Sequence, residues 1–333
     1  MSTTVAAYQL VETDEGVRGR HTRIPLEDLG EGDVLIRVTY SSVNYKDGLA
    51  ATGRAPIARR LPLVGGCCAA GTVVEPGESG LPADTVVAVV GATLSEQHNG
   101  GYCEYLRVPA AWVVAVPEAF TSRQAAAIGT AGVTSAMAVV KLEDAGVTPE
   151  SGPIAVTGAS GGAGSLAVAL LAARGYEVTA LTGKPEAEDL LRDLGAANVA
   201  PRPDTSGTRP LERGTWAGAV DTVGGDTLAW LTRTVAPGGS IAAFGNAGGN
   251  RLTTTVLPFI LRGINLLGVT VTFPAAELRE RVWELLASSL SREALDAIAT
   301  DVDFEDLDDA LRRIVTTGVV GRQVVRIGGE AAV

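Results

Sequence analysis

The chain has 333 residues, 46% of them hydrophobic, enough for two packed cores, and its formal net charge is −11 at pH 7. That acidity argues against nucleic-acid or membrane-surface partners, which call for a clustered basic face. No apolar run reaches the roughly 18 residues of a membrane span and no basic-then-apolar leader is present, and Cys67, Cys68 and Cys103 offer no spaced disulfide framework; a cytoplasmic protein with reduced thiols is expected.

Short strand patterns between Gly/Pro turns come first, at 34–40, 71–74, 85–90, 102–108 and 112–116, and read as an all-β, barrel-like module. From about residue 121 helices alternate with strands, as a doubly wound parallel sheet requires. Ile154-Ala-Val156 is a buried strand; Thr157-Gly-Ala-Ser-Gly-Gly-Ala-Gly164 follows it, and 165–174 is a helix stopped by Gly175. A second strand, 177–181, ends at Thr182-Gly183-Lys184, and a third strand-like run, 197–200, precedes Arg202. Beyond a polar loop at 203–215 come strands at 218–222, 240–245 and 264–272, with helices at 226–235 and 256–262 between them. Helices at about 277–289 and 305–317 lead to a closing strand, 323–327, that returns to the first module. The expected domains are therefore 1–120, completed by about 295–333, and 121–294.

Strand, glycine turn and helix together make a phosphate site, because only a turn without side chains lets backbone N–H groups and a helix N-terminus approach a pyrophosphate. Gly158, Ala159, Ser160, Gly161, Gly162, Ala163 and Gly164 form that turn, with Ala159 in the first glycine place of G-x-G-x-x-G. After the second strand an NAD site usually carries Asp or Glu for the ribose 2′-hydroxyl. Here stand Thr182, Gly183 and Lys184, with Arg202 further on; a hydroxyl and cations suit a 2′-phosphate, so NADPH is the expected cofactor.

Seven motifs then recur in one order: Asn44-Tyr-Lys-Asp-Gly48, Glu96-Gln-His-Asn-Gly-Gly-Tyr102, Ile128-Gly-Thr-Ala-Gly132, Leu142-Glu-Asp-Ala-Gly-Val147, Trp216-Ala-Gly-Ala-Val-Asp-Thr-Val-Gly224, Pro258-Phe-Ile-Leu-Arg-Gly263 and Gly321-Arg322. Over about residues 35–327 the chain resembles the medium-chain dehydrogenase/reductase superfamily, in its zinc-free acryloyl-CoA reductase (YhdH-type quinone oxidoreductase) branch. The resemblance implies a GroES-like catalytic β-barrel domain, a Rossmann domain, NADPH, reduction of an activated C=C bond, and a homodimer joined through the Rossmann domains. It places Thr130 near the cofactor phosphates, Gly245, Asn246 and Ala247 beside the ribose and nicotinamide, and Arg322 as a further phosphate contact.

The chain departs from that branch at Gly65-Gly-Cys-Cys-Ala-Ala-Gly71, where a thiol, Cys68, replaces an acid, and at Asn99, where a tryptophan is common. These changes predict a more open or more polar pocket. Zinc-dependent relatives carry Cys in the place of Asn44 and a His-Glu pair in that of Cys67-Cys68, so no zinc is expected. A metal-free site needs hydrogen-bond donors around the substrate carbonyl, and Asn44 and Tyr45 are the catalytic candidates, Tyr45 either as proton source or as a wall against the nicotinamide. Arg54, Arg59 and Arg60 either hold coenzyme A phosphates or form a solvated loop, and His98 is a pocket-rim candidate. A small-molecule enoyl reductase is the first reading, a quinone reductase the second, and a non-catalytic cofactor-binding partner protein the third.

Overall fold

A computed structural model describes residues 3–316 and 318–328. Thr317 and residues 329–333, which the expected helix 305–317 and the expected domain end include, lie outside them. Two compact units emerge: residues 1–130 with 271–273 and 299–333, and residues 131–270 with 274–298.

The first unit opens with β1 (Thr4–Thr13), β2 (Gly16–Pro25), β3 (Val34–Val43), helix α1 (Tyr45–Ala51), β4 (Leu63–Val64), β5 (Cys68–Glu75), β6 (Val86–Val90), β7 (Tyr105–Val108) and β8 (Val113–Ala115). β1 and β2 form a hairpin in register from Thr4–Pro25 to Thr13–Gly16, and β4 adds to β1. β3 is buried along nearly its whole length, as a strand must be when partners flank it: β5 and β7 pair with it antiparallel. α1 begins where Asn44 is extended and Asp47 Oδ2 accepts the Asn44 N–H at 3.1 Å, which satisfies a backbone donor at the helix start.

α2 (Ser122–Asp144) then carries the chain into the second unit, bending at Gly129, whose φ of 42° and ψ of −152° are not helical. By length and composition α2 could cross a membrane, contrary to the expectation that no apolar stretch is long enough. The polar residues that interrupt its sequence hide that mean; 83% of its most apolar 18 residues are buried inside the protein, so it is a core helix. The second unit continues with β9 (Ile154–Thr157), α3 (Gly162–Ala173), β10 (Val178–Thr182), α4 (Glu188–Asp193), β11 (Asn198–Pro201), β12 (Trp216–Asp221), α5 (Gly225–Thr234), β13 (Val235–Ala243), α6 (Leu257–Arg262), β14 (Asn265–Gly268), α7 (Ala276–Ser289) and α8 (Arg292–Ile298). Its six strands are all parallel, in the order β11-β10-β9-β12-β13-β14, which is the doubly wound sheet expected. β14 is shorter than the expected 264–272, because the chain leaves the sheet after Gly268 and brings Val271 against Gly91 of the first unit's loop.

The chain ends in the first unit with β15 (Ala299–Asp303), α9 (Leu307–Ile314) and β16 (Arg322–Arg326). β16 pairs antiparallel with Tyr40–Val43 of β3, so the closing strand does return to the first module. α9 packs on α1 so closely that a Cβ on Gly48 would lie 2.5 Å from Ile314 Cγ2 and 2.7 Å from the Leu311 carbonyl oxygen.

Candidate active site

In the second unit the chain winds outward from β9 through β10 to β11, then returns to lay β12, β13 and β14 on the other side. The strand order reverses between β9 and β12, and a crevice opens at the carboxyl ends of strands at such a point. Thr157, at the end of β9, donates its hydroxyl to Asp221 Oδ1 at the end of β12, 2.7 Å away, and Asp221 Oδ2 accepts the Gly224 N–H at 2.8 Å. Asp221 is fully buried, which raises its pKa, and it serves the loop between β12 and α5.

The glycine turn runs along this edge. Gly158 adopts φ +61°, and a side chain there would run into Thr222 and Val223; Gly158, rather than the residue after it, is the tight-turn glycine. Ala159 is therefore tolerated: its methyl is fully buried and its N–H bonds the Leu181 carbonyl at 3.1 Å. A Cβ on Gly164 would overlap the Gly158 carbonyl, so this glycine lets α3 approach β9. The turn leaves the amides of Gly162, Ala163 and Gly164 at the open N-terminus of a 12-residue helix, a cradle suited to an anion. Gly245 lies so close to Thr222 that no side chain fits, and Asn246 and Ala247 follow it, exposed at the carboxyl end of β13.

After β10, Arg202 lies across Gly183, where a Cβ would meet its guanidinium, and Lys184 is near enough that the guanidinium adds to burial in lowering the ammonium pKa. The structure thus brings Lys184 and Arg202 to one turn, with Glu186 close enough to Lys184 to oppose part of that lowering. Thr182 needs a correction: it is buried, its hydroxyl donates to Ser160 Oγ at 2.8 Å and accepts the Lys184 N–H at 3.1 Å, so it shapes the turn rather than facing a phosphate.

In the first unit a buried polar cluster surrounds the start of α1. Asn44 Nδ2 donates to the Ser42 carbonyl and to Asp47 Oδ2, both at 3.1 Å, and lies 3.3 Å from Cys67 Sγ. Its Oδ1 accepts from Arg322 Nη1 at 3.1 Å. Asn44 was expected to present a donor to substrate; it spends its amide inside the protein and positions the loop instead. Asp47, 2% exposed, also accepts the Cys67 N–H at 3.0 Å, and burial raises its pKa. Lys46 Nζ reaches Glu96 Oε1 at 2.7 Å; although burial opposes its charge, the bond to Glu96 and the nearby Asp47 carboxylate leave its pKa raised. Tyr45, half-buried between these residues in sequence, has no hydrogen-bond partner for its hydroxyl among the described residues.

Several expected site residues belong to this scaffold. Arg322 is 4% exposed and donates to the carbonyls of Ala127 and Val43 at 2.9 and 3.1 Å, to Asn44 Oδ1, and to Ser42 Oγ at 2.6 Å. It is a brace within the first unit and not a phosphate contact. Thr130 donates its hydroxyl to the Cys67 carbonyl at 3.2 Å, so it too belongs to the thiol cluster. Asn99 opens no pocket: it is buried, bonding Val64 N at 3.0 Å and the Leu29 carbonyl at 2.9 Å. His98 bonds the Arg107 carbonyl at 3.0 Å and stands edge-on to Trp112, with ring centres 5.0 Å apart. Arg54 and Arg60 are tied to the Val315 and Gln97 carbonyls, both at 2.6 Å, whereas the exposed Arg59 side chain bonds no described residue. Cys68, expected to face substrate, is 1% exposed and points at Ser42 Oγ, 3.0 Å away. Sequence reasoning missed Ser42 and Asp221; a strand-end acid ahead of Gly224-Gly225 was a readable sign of the second, while nothing in the sequence marked the first.

Residues 30–118 match the alcohol dehydrogenase GroES-like domain and residues 162–288 match the zinc-binding dehydrogenase family. The acrylyl-CoA reductase AcuI of Ruegeria pomeroyi is 43% identical over 307 residues, 92% of this chain and 93% of that protein. YhfP of Bacillus subtilis, described as a candidate quinone oxidoreductase, is 41% identical over 98% of this chain and all of its own length. The chain belongs to the medium-chain dehydrogenase/reductase superfamily. Among solved members, the yhdH oxidoreductase of Salmonella enterica in complex with NADP matches with a TM-score of 0.94 and 40% identity over 97% of this chain and 100% of that one. The Bacillus subtilis yhfP structure, at 0.91 over 98% and 100%, has NAD bound. These two solved relatives thus differ in the cofactor they hold. Zinc does not fit: Asn44 and Cys67-Cys68 supply no catalytic ligand set, and among the described residues no three His, Cys, Asp or Glu side chains group to hold a metal.

Proposed function

We propose that the chain is an NADPH-dependent, zinc-independent reductase that adds hydride to the C=C bond of an α,β-unsaturated thioester or enone. The observation that carries this reading is the contrast in the loop 44–47: Asn44, Lys46 and Asp47 have partners inside the protein, while the Tyr45 hydroxyl bonds no described residue. The similarity to the acrylyl-CoA reductase named above supports the reaction class. Bound NADPH supplies the hydride. The glycine turn would hold its pyrophosphate, and Lys184 with Arg202 its 2′-phosphate. Hydride arriving at the β-carbon leaves negative charge on the carbonyl oxygen and α-carbon of the substrate. Tyr45 donates its hydroxyl proton to that enolate at the α-carbon and regains one from solvent. Asn44, Asp47 and Arg322 hold the loop so that the hydroxyl needs no reorganisation at the moment of transfer.

The similarity to YhfP favours a second reading, hydride transfer to a quinone with Tyr45 protonating the quinol oxygen. Oxidation of NADPH is to be followed with acryloyl-CoA, crotonyl-CoA, simple enones and 1,4-naphthoquinone. Turnover of the thioesters or enones supports the first reading, and turnover of the quinone alone supports the second. Tyr45→Phe should lower kcat and kcat/KM together by about 10²-fold with NADPH affinity unchanged; a fully active variant removes the proton-donor role. The protein is further read as cytoplasmic and as a homodimer, the second supported by the edge position of β14 and the exposed Val256, Ile260, Leu261 and Leu266 beside it.

A further inference from the structure

The reaction above gives Cys67 and Cys68 no task. Both are free thiols, 0% and 1% exposed. Consecutive strand residues point to opposite faces, but β5 begins only at Cys68, and Gly66 at φ +95° turns the chain just before the pair. Both sulfurs therefore reach one group: Asn44 Nδ2 lies 3.3 Å from Cys67 Sγ and 3.9 Å from Cys68 Sγ.

Their surroundings differ. Cys67 Sγ donates to Asp47 Oδ2 at 3.4 Å, and the neighbouring Cys68 thiol, burial and the carboxylate all hold it protonated. Cys68 Sγ lies 3.0 Å from Ser42 Oγ, which also accepts from Arg322; the neighbouring Cys67 thiol, the Ser42 hydroxyl and the guanidinium bring its pKa down to about 6 against the opposing effect of burial. A nucleophilic sulfur thus stands beside a protonated one that has its own base, the arrangement of an attacking and a resolving thiol.

We propose that Cys67 and Cys68 form a modification site at which a hydroperoxide oxidises the pair to a vicinal disulfide. Cys68 thiolate attacks the hydroxyl-bearing peroxide oxygen; the O–O bond breaks, the leaving alkoxide takes a proton from solvent and departs as alcohol (water, from hydrogen peroxide), and Cys68 becomes a sulfenic acid. Cys67 passes its proton to Asp47 and attacks the Cys68 sulfur. The S–S bond forms, the S–O bond breaks, and the hydroxide collects the proton from Asp47 and leaves as water. Two thiols lose two electrons and the peroxide gains them; an added dithiol reverses the change by exchange.

The test treats reduced full-length protein with hydrogen peroxide and reads intact mass and a peptide map. The expected product has lost two hydrogens per chain, within one peptide that carries both residues, and dithiothreitol restores it. Cys103→Ser forms the same link at the same rate, Cys67→Ser stops at a Cys68 sulfenic acid that dimedone traps, and Cys68→Ser forms no link. In wild-type protein the pair reacts at least tenfold faster than Cys103, whose thiol burial pushes up to about 11. Oxygen gained on either thiol of the wild type without a link, oxidation confined to Cys103 or methionine, or a link that persists in Cys68→Ser overturns the proposal. None of these readouts uses turnover, so they stand apart from the outcome of the reductase assays.

Discussion

Lys184 and Arg202 come together at Gly183, and one charge-assisted phosphate contact is worth about 1.5–3 kcal/mol. Wild-type protein should accordingly prefer NADPH over NADH by at least about tenfold in kcat/KM, since about 1.4 kcal/mol is a factor of ten. Lys184→Ala and Arg202→Ala should each narrow that ratio by about tenfold, whereas Thr182→Ala, whose hydroxyl is used on Ser160 and the Lys184 amide, should leave it nearly unchanged. Steady-state kinetics with both cofactors decide the matter, and equal use of NADH and NADPH by the wild type removes the argument. These residues were legible because they sit within one strand-turn-helix stretch or just past the next strand. The scaffold around Asn44 was not, since Arg322 reaches it from 278 residues away and Cys68 reaches Ser42 across 26. A guanidinium beside a glycine in sequence looks the same whether it will hold a phosphate or four internal oxygens.

The same division holds for elements. β9 and β12, buried on nearly every residue, announced themselves as apolar runs, as did α3. The β1–β2 hairpin did not: β2 reads Gly-Val-Arg-Gly-Arg-His-Thr-Arg, is half-buried or exposed at all but one position, and owes its strand conformation to ten paired residues of β1. α1 and β15 were too short and too polar to carry a period of their own, and pairing or packing with distant partners fixes both. Gly48 shows how tight that packing is for α1. Gly48→Ala must displace Ile314 or the α9 backbone and is expected to cost about 1–3 kcal/mol, read as a lower urea midpoint at unchanged slope. A change under about 0.5 kcal/mol, the range of ordinary surface substitutions, would mean that α9 yields freely and that the α1 loop is not clamped from that side.

At the scale of the molecule, β14 ends the six-stranded sheet with Leu266 exposed, and Ile260 and Leu261, 68% and 64% exposed, lie on the helix just before it. A bare apolar edge invites pairing, and two-fold pairing with an identical edge closes it. Light scattering at micromolar concentration should give the mass of two chains, and Ile260→Asp should shift the protein toward one; a wild-type mass of one chain contradicts the homodimer. The return of β16 to β3 has a different consequence, one of timing. Residues 1–130 leave the ribosome first, yet Tyr40–Val43 have no strand on that side, and Asn44 has no guanidinium, until residues 322–326 are made. The second unit is synthesised in the interval, so that edge of β3 stays open until residues 322–326 emerge, and an open strand edge is a template on which another chain can pair.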